Sequence, residues 1–207
     1  MDRLIQYLRS HQWARRGLSV LSVALLAGAV GLLGYPLYTN FYQGRVQDRL
    51  TGELASPELQ EKYRKRQIEV GDSLTRIQIP KLNVDTIVVE GTTASALRAG
   101  AGHYPTTPLP CENGNVGIAG HRTTYGKPFA NLDQLKVGDT IILTTPVGTC
   151  TYQVSKQPFI IAPTNLDVIS DTPTTRELTL TTCHPKHSAR QRLVIKATYV
   201  SGEPGTA

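Results

Sequence analysis

Three side chains could do chemistry together: a thiol, an imidazole and a guanidinium. The run Thr179-Leu180-Thr181-Thr182-Cys183 alternates polar and apolar residues and closes on the thiol. Such alternation reads as a strand ending at its tip. His184-Pro185-Lys186-His187 follow, and Pro185 stops the strand and opens a loop. Arg190 and Arg192 come next, and Leu193-Val194-Ile195 begin another strand. Cations beside a thiol favour its thiolate, the nucleophilic form. A second strand end is Gly117-Ile118-Ala119-Gly120-His121-Arg122, with His121 at the tip. His121 and Cys183 are 62 positions apart, yet two strand ends of a small barrel can meet. Arg192 opens the strand after the cysteine's loop and so falls beside Cys183, with Arg190 a second candidate. Thiol, imidazole and guanidinium are the parts for thioacyl chemistry: nucleophile, acid/base and carbonyl clamp. The competing reading is structural: a free cysteine is commonly a small buried hydrophobe, and a lone histidine a satisfied core residue.

The elements that must position these residues are short and β-rich. Leu74–Ile79, Thr86–Glu90, Val116–Ala119, Thr140–Thr144, Thr151–Ile161, Glu177–Cys183 and Arg192–Tyr199 all read as strands. Pro146-Val147-Gly148 reads as a hairpin turn. Ser95–Ala99 and Pro128–Leu132 are at most short helical turns. An all-β, closed or nearly closed barrel of seven or eight strands follows. Between two strands lies Pro163-Thr164-Asn165-Leu166-Asp167-Val168-Ile169, whose apolar residues line a groove or anchor the loop to the core.

Upstream the texture differs. Gly17 to Tyr38 is 22 residues without a charge, long enough to cross a bilayer as a helix. Arg3, Arg9, Arg15 and Arg16 precede it, against Arg45 and Arg49 after it. The positive-inside rule then assigns residues 1–16 to the cytoplasm and the rest to the outside. Trp13, Tyr35 and Tyr38 fall where interfacial aromatics are expected. The small triplet Ala27-Gly28-Ala29 lies within the apolar run and not after it, which favours a retained anchor over a cleaved signal. Residues 39–71 are polar and helix-favouring, divided by Pro57, and read as a solvated stalk. Residues 72–201 are the β-domain and 202–207 a tail. Of the net charge of +6, residues 1–71 hold 10 Lys/Arg against 6 Asp/Glu, so the β-domain is close to neutral. That argues against a nucleic-acid partner, which needs a basic patch on the folded part.

With these residues in view, the chain resembles the sortases, cysteine transpeptidases of Gram-positive cell surfaces. Thr179-Leu180-Thr181-Thr182-Cys183 is similar to the family's TLxTC signature, Gly120-His121 to its catalytic histidine, and Arg192 before Leu193-Val194-Ile195 to its arginine. Gly102-His103-Tyr104-Pro105, Ala119-Gly120-His121-Arg122 and Cys183-His184-Pro185-Lys186 look most like class E. The likeness runs from about Leu74 to Val200 and implies a sortase-type barrel behind one membrane helix. It implies Cys183 as nucleophile, His121 as acid/base and Arg192 as carbonyl or oxyanion clamp. Tyr104 matches the tyrosine tied to a Leu-Ala-x-Thr-Gly signal, with Thr182, Leu166, Val168 and Ile169 as further substrate-binding residues. The implied partners are secreted proteins bearing that C-terminal signal, a cell-wall precursor amine and the membrane. No cofactor is implied, and Glu112, Asp167 and Asp171 are too scattered to suggest calcium.

An exported domain permits disulfides. If Cys183 stays free to react, Cys111 and Cys150 remain to pair, the alternative being two unpaired thiols. Other readings stay open. A pilin-polymerising sortase would carry an N-terminal lid with an aspartate-aromatic motif, and residues 40–72 show none. A zinc site of Cys183, His184, His187 and His121 is opposed by the adjacency of Cys183 and His184, which on a strand face opposite ways. An L,D-transpeptidase would need a Ser-His-Gly-Cys context that is absent. A non-catalytic, membrane-tethered β-module is the last.

Overall fold

The computed structural model describes residues 11–203. The outer parts of both expected tails, residues 1–10 and 204–207, lie outside them. The chain divides into two compact units, 1–39 and 40–207. The division falls within one helix, α1 (Gln12–Leu54). In the first unit α1 is long and apolar enough to cross a membrane, and side chains such as Leu21, Leu25 and Leu32 are exposed.

The second unit is organised around β1 (Ser73–Ile79), β2 (Val84–Glu90), β3 (Ala101–His103), β4 (Gly114–Ala119), β5 (Thr140–Thr145), β6 (Gly148–Val154), β7 (Phe159–Ile161), β8 (Arg176–His184) and β9 (Gln191–Glu203). Their order is β6-β5-β1-β2-β3-β4-β8-β9, and β6 pairs back onto β9. Eight strands therefore close a barrel, which removes the free edges of an open sheet. β7 is extra. It pairs with Arg192 to Val194, while β6 takes residues 197–203 of the same long strand. The pairs β2–β3 and β4–β8 are parallel, and the others antiparallel.

Alternation along the strands fills the interior. Ile77 and Ile79, Val116 and Ile118, Ile141 and Leu143, Leu178 and Leu180, and Leu193 and Ile195 all join one core. Each buried side chain of this size contributes about 1.5–3 kcal/mol relative to exposure. Cys111 and Cys150 form a disulfide inside that core, with Cα atoms 5.7 Å apart. The bridge fastens the loop before β4 to β6.

Three strand expectations change. The run Thr151–Ile161 breaks into β6 and β7 around Pro158, which has no N–H to give a ladder. β3 is additional, a three-residue strand of Ala, Gly and His without a readable period. β9 reaches Glu203, into the stretch expected to be tail. The helical turn expected at Pro128–Leu132 lies later, as a 3-10 turn over Leu132–Gln134.

The solvated stalk is also corrected. Within the second unit, Leu50 and Val46 of α1 pack with Ile87, Val89 and Ala96, covering the outer face of β2. The amide of Gln47 accepts from Ile87 N–H at 2.7 Å and donates to Ala99 O at 2.7 Å. Helix α2 (Pro57–Arg64) starts on an N-cap, Ser56, whose hydroxyl accepts from Leu59 N–H. It buries Leu59 and Tyr63, and the Tyr63 hydroxyl donates to Pro110 O at 3.2 Å. A few well-spaced apolar residues suffice to dock an otherwise polar segment. The last helix, α3 (Ala94–Ala99), connects β2 to β3.

Candidate active site

The site lies on the outer face of β4, β8 and β9. On β8, Leu178 and Leu180 point into the core. Thr179, Thr181 and Cys183 therefore share the opposite face. Cys183 is free and half-buried. Directly across the antiparallel ladder stands Arg192, paired in register with Cys183. Such cross-strand neighbours have Cβ atoms about 4.5–5.5 Å apart. Arg190, the other candidate, is exposed in the turn, its N–H on Ser188 Oγ. The Arg192 guanidinium donates to Ala189 O at 3.0 Å and Gln191 O at 3.1 Å, both through one Nη. The guanidinium carries further N–H donors on Nε and the other Nη.

β4 and β8 run parallel, with Ala119 opposite Thr181. His121 and Cys183 each lie two residues beyond this last pair. The ladder's end is tied by Gly120 N–H donating to Thr181 O at 3.0 Å and by the Thr182 hydroxyl donating to Gly120 O at 2.8 Å. Gly120 is required by close approach: a Cβ there would meet the Phe129 ring at 2.5 Å. Phe129 is fully buried and returns the loop after His121 to the core, its N–H donating to His121 O at 3.1 Å. The His121 ring lies 5.5 Å from that of Tyr125, and Arg98 of α3 stands over the same tyrosine. Burial, and then the positive charge of Arg98, push the His121 pKa below the usual histidine range.

Further down the same face from the thiol, at Gly117 opposite Thr179, a small residue lies under a wall. A Cβ at Gly117 would lie 2.9 Å from the Tyr104 ring and 3.2 Å from Ile169 and Thr107. Tyr104 and Ile169 thus cover Gly117, and the Tyr104 hydroxyl is 3.0 Å from that of Thr181. The Thr107 hydroxyl donates to Tyr104 O at 2.8 Å and accepts from Gly117 N–H at 3.0 Å. His103 backs this arrangement from a buried position, with Nδ1 on Glu90 and Nε2 2.9 Å from both Pro108 O and Thr107 Oγ1. A carbonyl only accepts, so Nε2 carries a proton. The loop bearing Ile169 is pinned through Val168 O, which accepts from Asn115 at 2.9 Å and Lys196 at 2.6 Å. Burial lowers the pKa of Lys196, offset in part by Glu177.

Not every expected substrate-binding residue faces this groove. Thr182 is the clear correction: it is buried on the core side of β8, and its hydroxyl is committed to Gly120 O. Leu166 is 59% exposed, Val168 is half-buried, and only Ile169 of the three packs over Gly117. Among the described residues no three His, Cys, Asp or Glu side chains gather as a metal site. His184 instead turns Nδ1 to Arg122 at 2.8 Å.

A Sortase domain matches residues 77–200, more than half of the chain. The chain belongs to the sortase family. Sortase SrtE1 of Streptomyces coelicolor is 31% identical over 150 residues, 66% of this chain and 43% of that protein. Sortase D of Bacillus subtilis is 36% identical over 117 residues, 56% of this chain and 57% of that protein. This sortase chain thus spans about half the length of those curated relatives. The structure of the sortase D5 transpeptidase of Clostridium perfringens superposes with a TM-score of 0.67 at 30% identity, covering 77% of this chain and 98% of that one. The likeness to SrtE1 supports the class E resemblance.

Sequence reasoning missed three members of this sortase site. Arg98 and Tyr125, which surround His121, belong to a short helix and a loop that carry no motif. Arg122 was visible only as the residue after His121. It is buried, donating to Cys183 O at 3.2 Å as well as to His184, with Asp133 at 3.1 Å.

Proposed function

We propose that the protein is a membrane-anchored cysteine transpeptidase. It cleaves a C-terminal Leu-Ala-x-Thr-Gly signal between Thr and Gly and joins the Thr to an amine of a cell-wall precursor. The reading rests on one observation above all: Cys183 and Arg192 face each other across β8–β9, while His121 follows the end of β4, the strand paired with β8 on its other side.

The thiolate of Cys183 attacks the Thr carbonyl carbon, and the carbonyl electron pair moves onto oxygen. Arg192 donates to that oxyanion. The tetrahedral species collapses, the C–N bond breaks, and protonated His121 gives its proton to the departing Gly nitrogen. A thioester on Cys183 remains. An incoming amine attacks it, neutral His121 takes the amine's proton, and the C–S bond breaks to restore the thiolate. The wall of Tyr104 and Ile169 over Gly117 gives the signal's apolar residues a surface beside the thiol. The bulk of Tyr104 favours Ala over Pro at the signal's second position. The arginines before the apolar span support, by the positive-inside rule, a cytoplasmic N-terminus and a barrel outside, where secreted proteins and wall precursors are met.

The test is to incubate the 207-residue chain, in detergent, with Leu-Ala-x-Thr-Gly and Leu-Pro-x-Thr-Gly peptides and an amine. The wild type is expected to cleave and transfer, with the Ala peptide preferred, and Cys183→Ala to do neither while remaining folded. Transfer by folded Cys183→Ala refutes the nucleophile.

A further inference from the structure

We infer that Arg122 is a positioning residue that sets the separation of His121 and Cys183. The inference rests on the transpeptidase reading above and extends it to a side chain that touches neither substrate nor the reacting atoms. Arg122 is only 4% exposed. One Nη donates to Cys183 O at 3.2 Å and to His184 Nδ1 at 2.8 Å, and the other lies 3.1 Å from Asp133 Oδ1. An arginine only donates, so His184 Nδ1 is the acceptor and His184 is neutral with its proton on Nε2.

Stability alone does not account for this placement. Taking a guanidinium out of water is costly unless its partners are well matched. Here Nε is buried with no hydrogen-bond partner among the described residues, and the Asp133 carboxylate remains 45% exposed. An apolar side chain of similar volume would serve a core better. The contacts make sense instead as a continuation of the β4–β8 ladder. Regular pairing ends at Ala119 and Thr181. Gly120 N–H to Thr181 O and Thr182 Oγ1 to Gly120 O add one step. Beyond that, the chain after His121 turns away toward Phe129, and the backbones no longer bond. The Arg122 side chain spans this gap, joining the residue after the imidazole to the carbonyl of the thiol's own residue. It also holds His184, the last residue of β8 before the loop that leads to Arg192. One side chain therefore ties the segments carrying all three reacting groups.

Misplacement of a reacting group by about 1 Å can cost on the order of 10²-fold in rate. The experiment compares wild type, Arg122→Met and Arg122→Lys in the full chain. Its readouts are kcat and KM for the Leu-Ala-x-Thr-Gly peptide, thermal unfolding, and the rate of Cys183 alkylation by iodoacetamide. Alkylation needs the thiol but no acid. For Arg122→Met the expected result is a kcat lower by about 10–100-fold, with KM and alkylation within about two-fold and unfolding temperature kept or raised. Arg122→Lys, which keeps the charge but cannot span three partners, falls between. If Arg122→Met does not fold, Arg122→Lys is judged by the same split of kcat against KM. A folded variant with wild-type kcat overturns the inference, as does a loss of kcat matched by loss of folded protein. If wild type itself forms no thioacyl enzyme and no product, it is the transpeptidase reading that fails.

Discussion

Cys183 and Arg192 are nine positions apart in the chain and directly opposite each other in the β8–β9 ladder. The loop between them makes the thiol and the guanidinium neighbours on one face, so their separation depends on sheet register. A one-residue slip of β9 would turn Arg192 into the core and bring a neighbour of opposite facing to the thiol. Pinning by the buried Leu193 and Ile195 prevents that slip.

The same geometry makes the charge of Arg192 insufficient without its shape. One Nη is already held by Ala189 O and Gln191 O, and the rest of the planar fork is needed for the substrate. Lysine offers a single ammonium, two of whose three N–H donors those carbonyls would take, leaving no planar fork for the substrate. Arg192→Ala is expected to lower kcat/KM by about 10²–10³-fold, as loss of an oxyanion donor does. Arg192→Lys should recover only a small part. Steady-state kinetics with the signal peptide check this, and near-wild-type activity of Arg192→Lys would reduce the residue to a point charge.

His121 titrates below the usual histidine range because of burial first and the Arg98 charge second. Removing the cation makes imidazolium less costly, so Arg98→Gln should raise the His121 pKa. Burial remains, so the value should stay below that of an exposed histidine. If protonated His121 is the acid, activity is lost as pH rises through that pKa. The alkaline limb of kcat/KM should then move to higher pH in Arg98→Gln. NMR titration of the ring in a Cys183→Ala background isolates the histidine from the thiol. A shift to lower pH would contradict the assignment.

The proposed reacting residues stood out in the sequence because each is a chemical type at or beside the end of a β-run. The period-two pattern in Thr179 to Thr182 puts Cys183 on the face opposite Leu178 and Leu180, which is where it is found. Arg122 was not legible, since a buried arginine depends on partners 61 and 62 positions away. β3 escaped because Ala-Gly-His has no period, and its pairing comes from β2 and β4 on either side. The docked segment after residue 40 escaped because Leu50, Leu59 and Tyr63 are isolated among charges, and only the barrel's outer surface gives them a common purpose.

Tyr104 offers a test of the groove. Its ring covers Gly117, and its hydroxyl reaches Thr181, two residues before the nucleophile. Tyr104→Ala removes the wall and should narrow the preference for the Ala peptide over the Pro peptide. Tyr104→Phe keeps the wall and should keep the preference. It loses one hydrogen bond, about 0.5–1.5 kcal/mol of stability. The measurement is the ratio of kcat/KM for the two peptides. An unchanged ratio in Tyr104→Ala removes the residue from the specificity surface.

The bridge between Cys111 and Cys150 acts on stability and should leave the chemistry alone. It closes a loop of 38 intervening residues that contains all of β4, His121 and β5. Chain-entropy reasoning values such a closure at about 3–4 kcal/mol. Both cysteines are also core residues, 1% and 0% exposed, so deleting the sulfurs adds a packing loss. Cys111 moreover holds φ at +73°, a left-handed conformation that costs a non-glycine residue about 1–2 kcal/mol. Once the bridge is gone, that residue can relax and draw the β4 approach with it. The paired substitution Cys111→Ala with Cys150→Ala is expected to lower Tm by about 2–4 °C per kcal/mol lost, close to 10 °C in all. At 25 °C the folded variant should retain kcat, because Cys183 and Arg192 are held by the β8–β9 ladder and the His121 segment by the bonds of Gly120 and Phe129. Thermal unfolding of wild type with and without dithiothreitol provides the matching control, since reduction should reproduce most of the shift. Equal Tm values for wild type, reduced wild type and the double variant would show that the bridge contributes nothing to the fold.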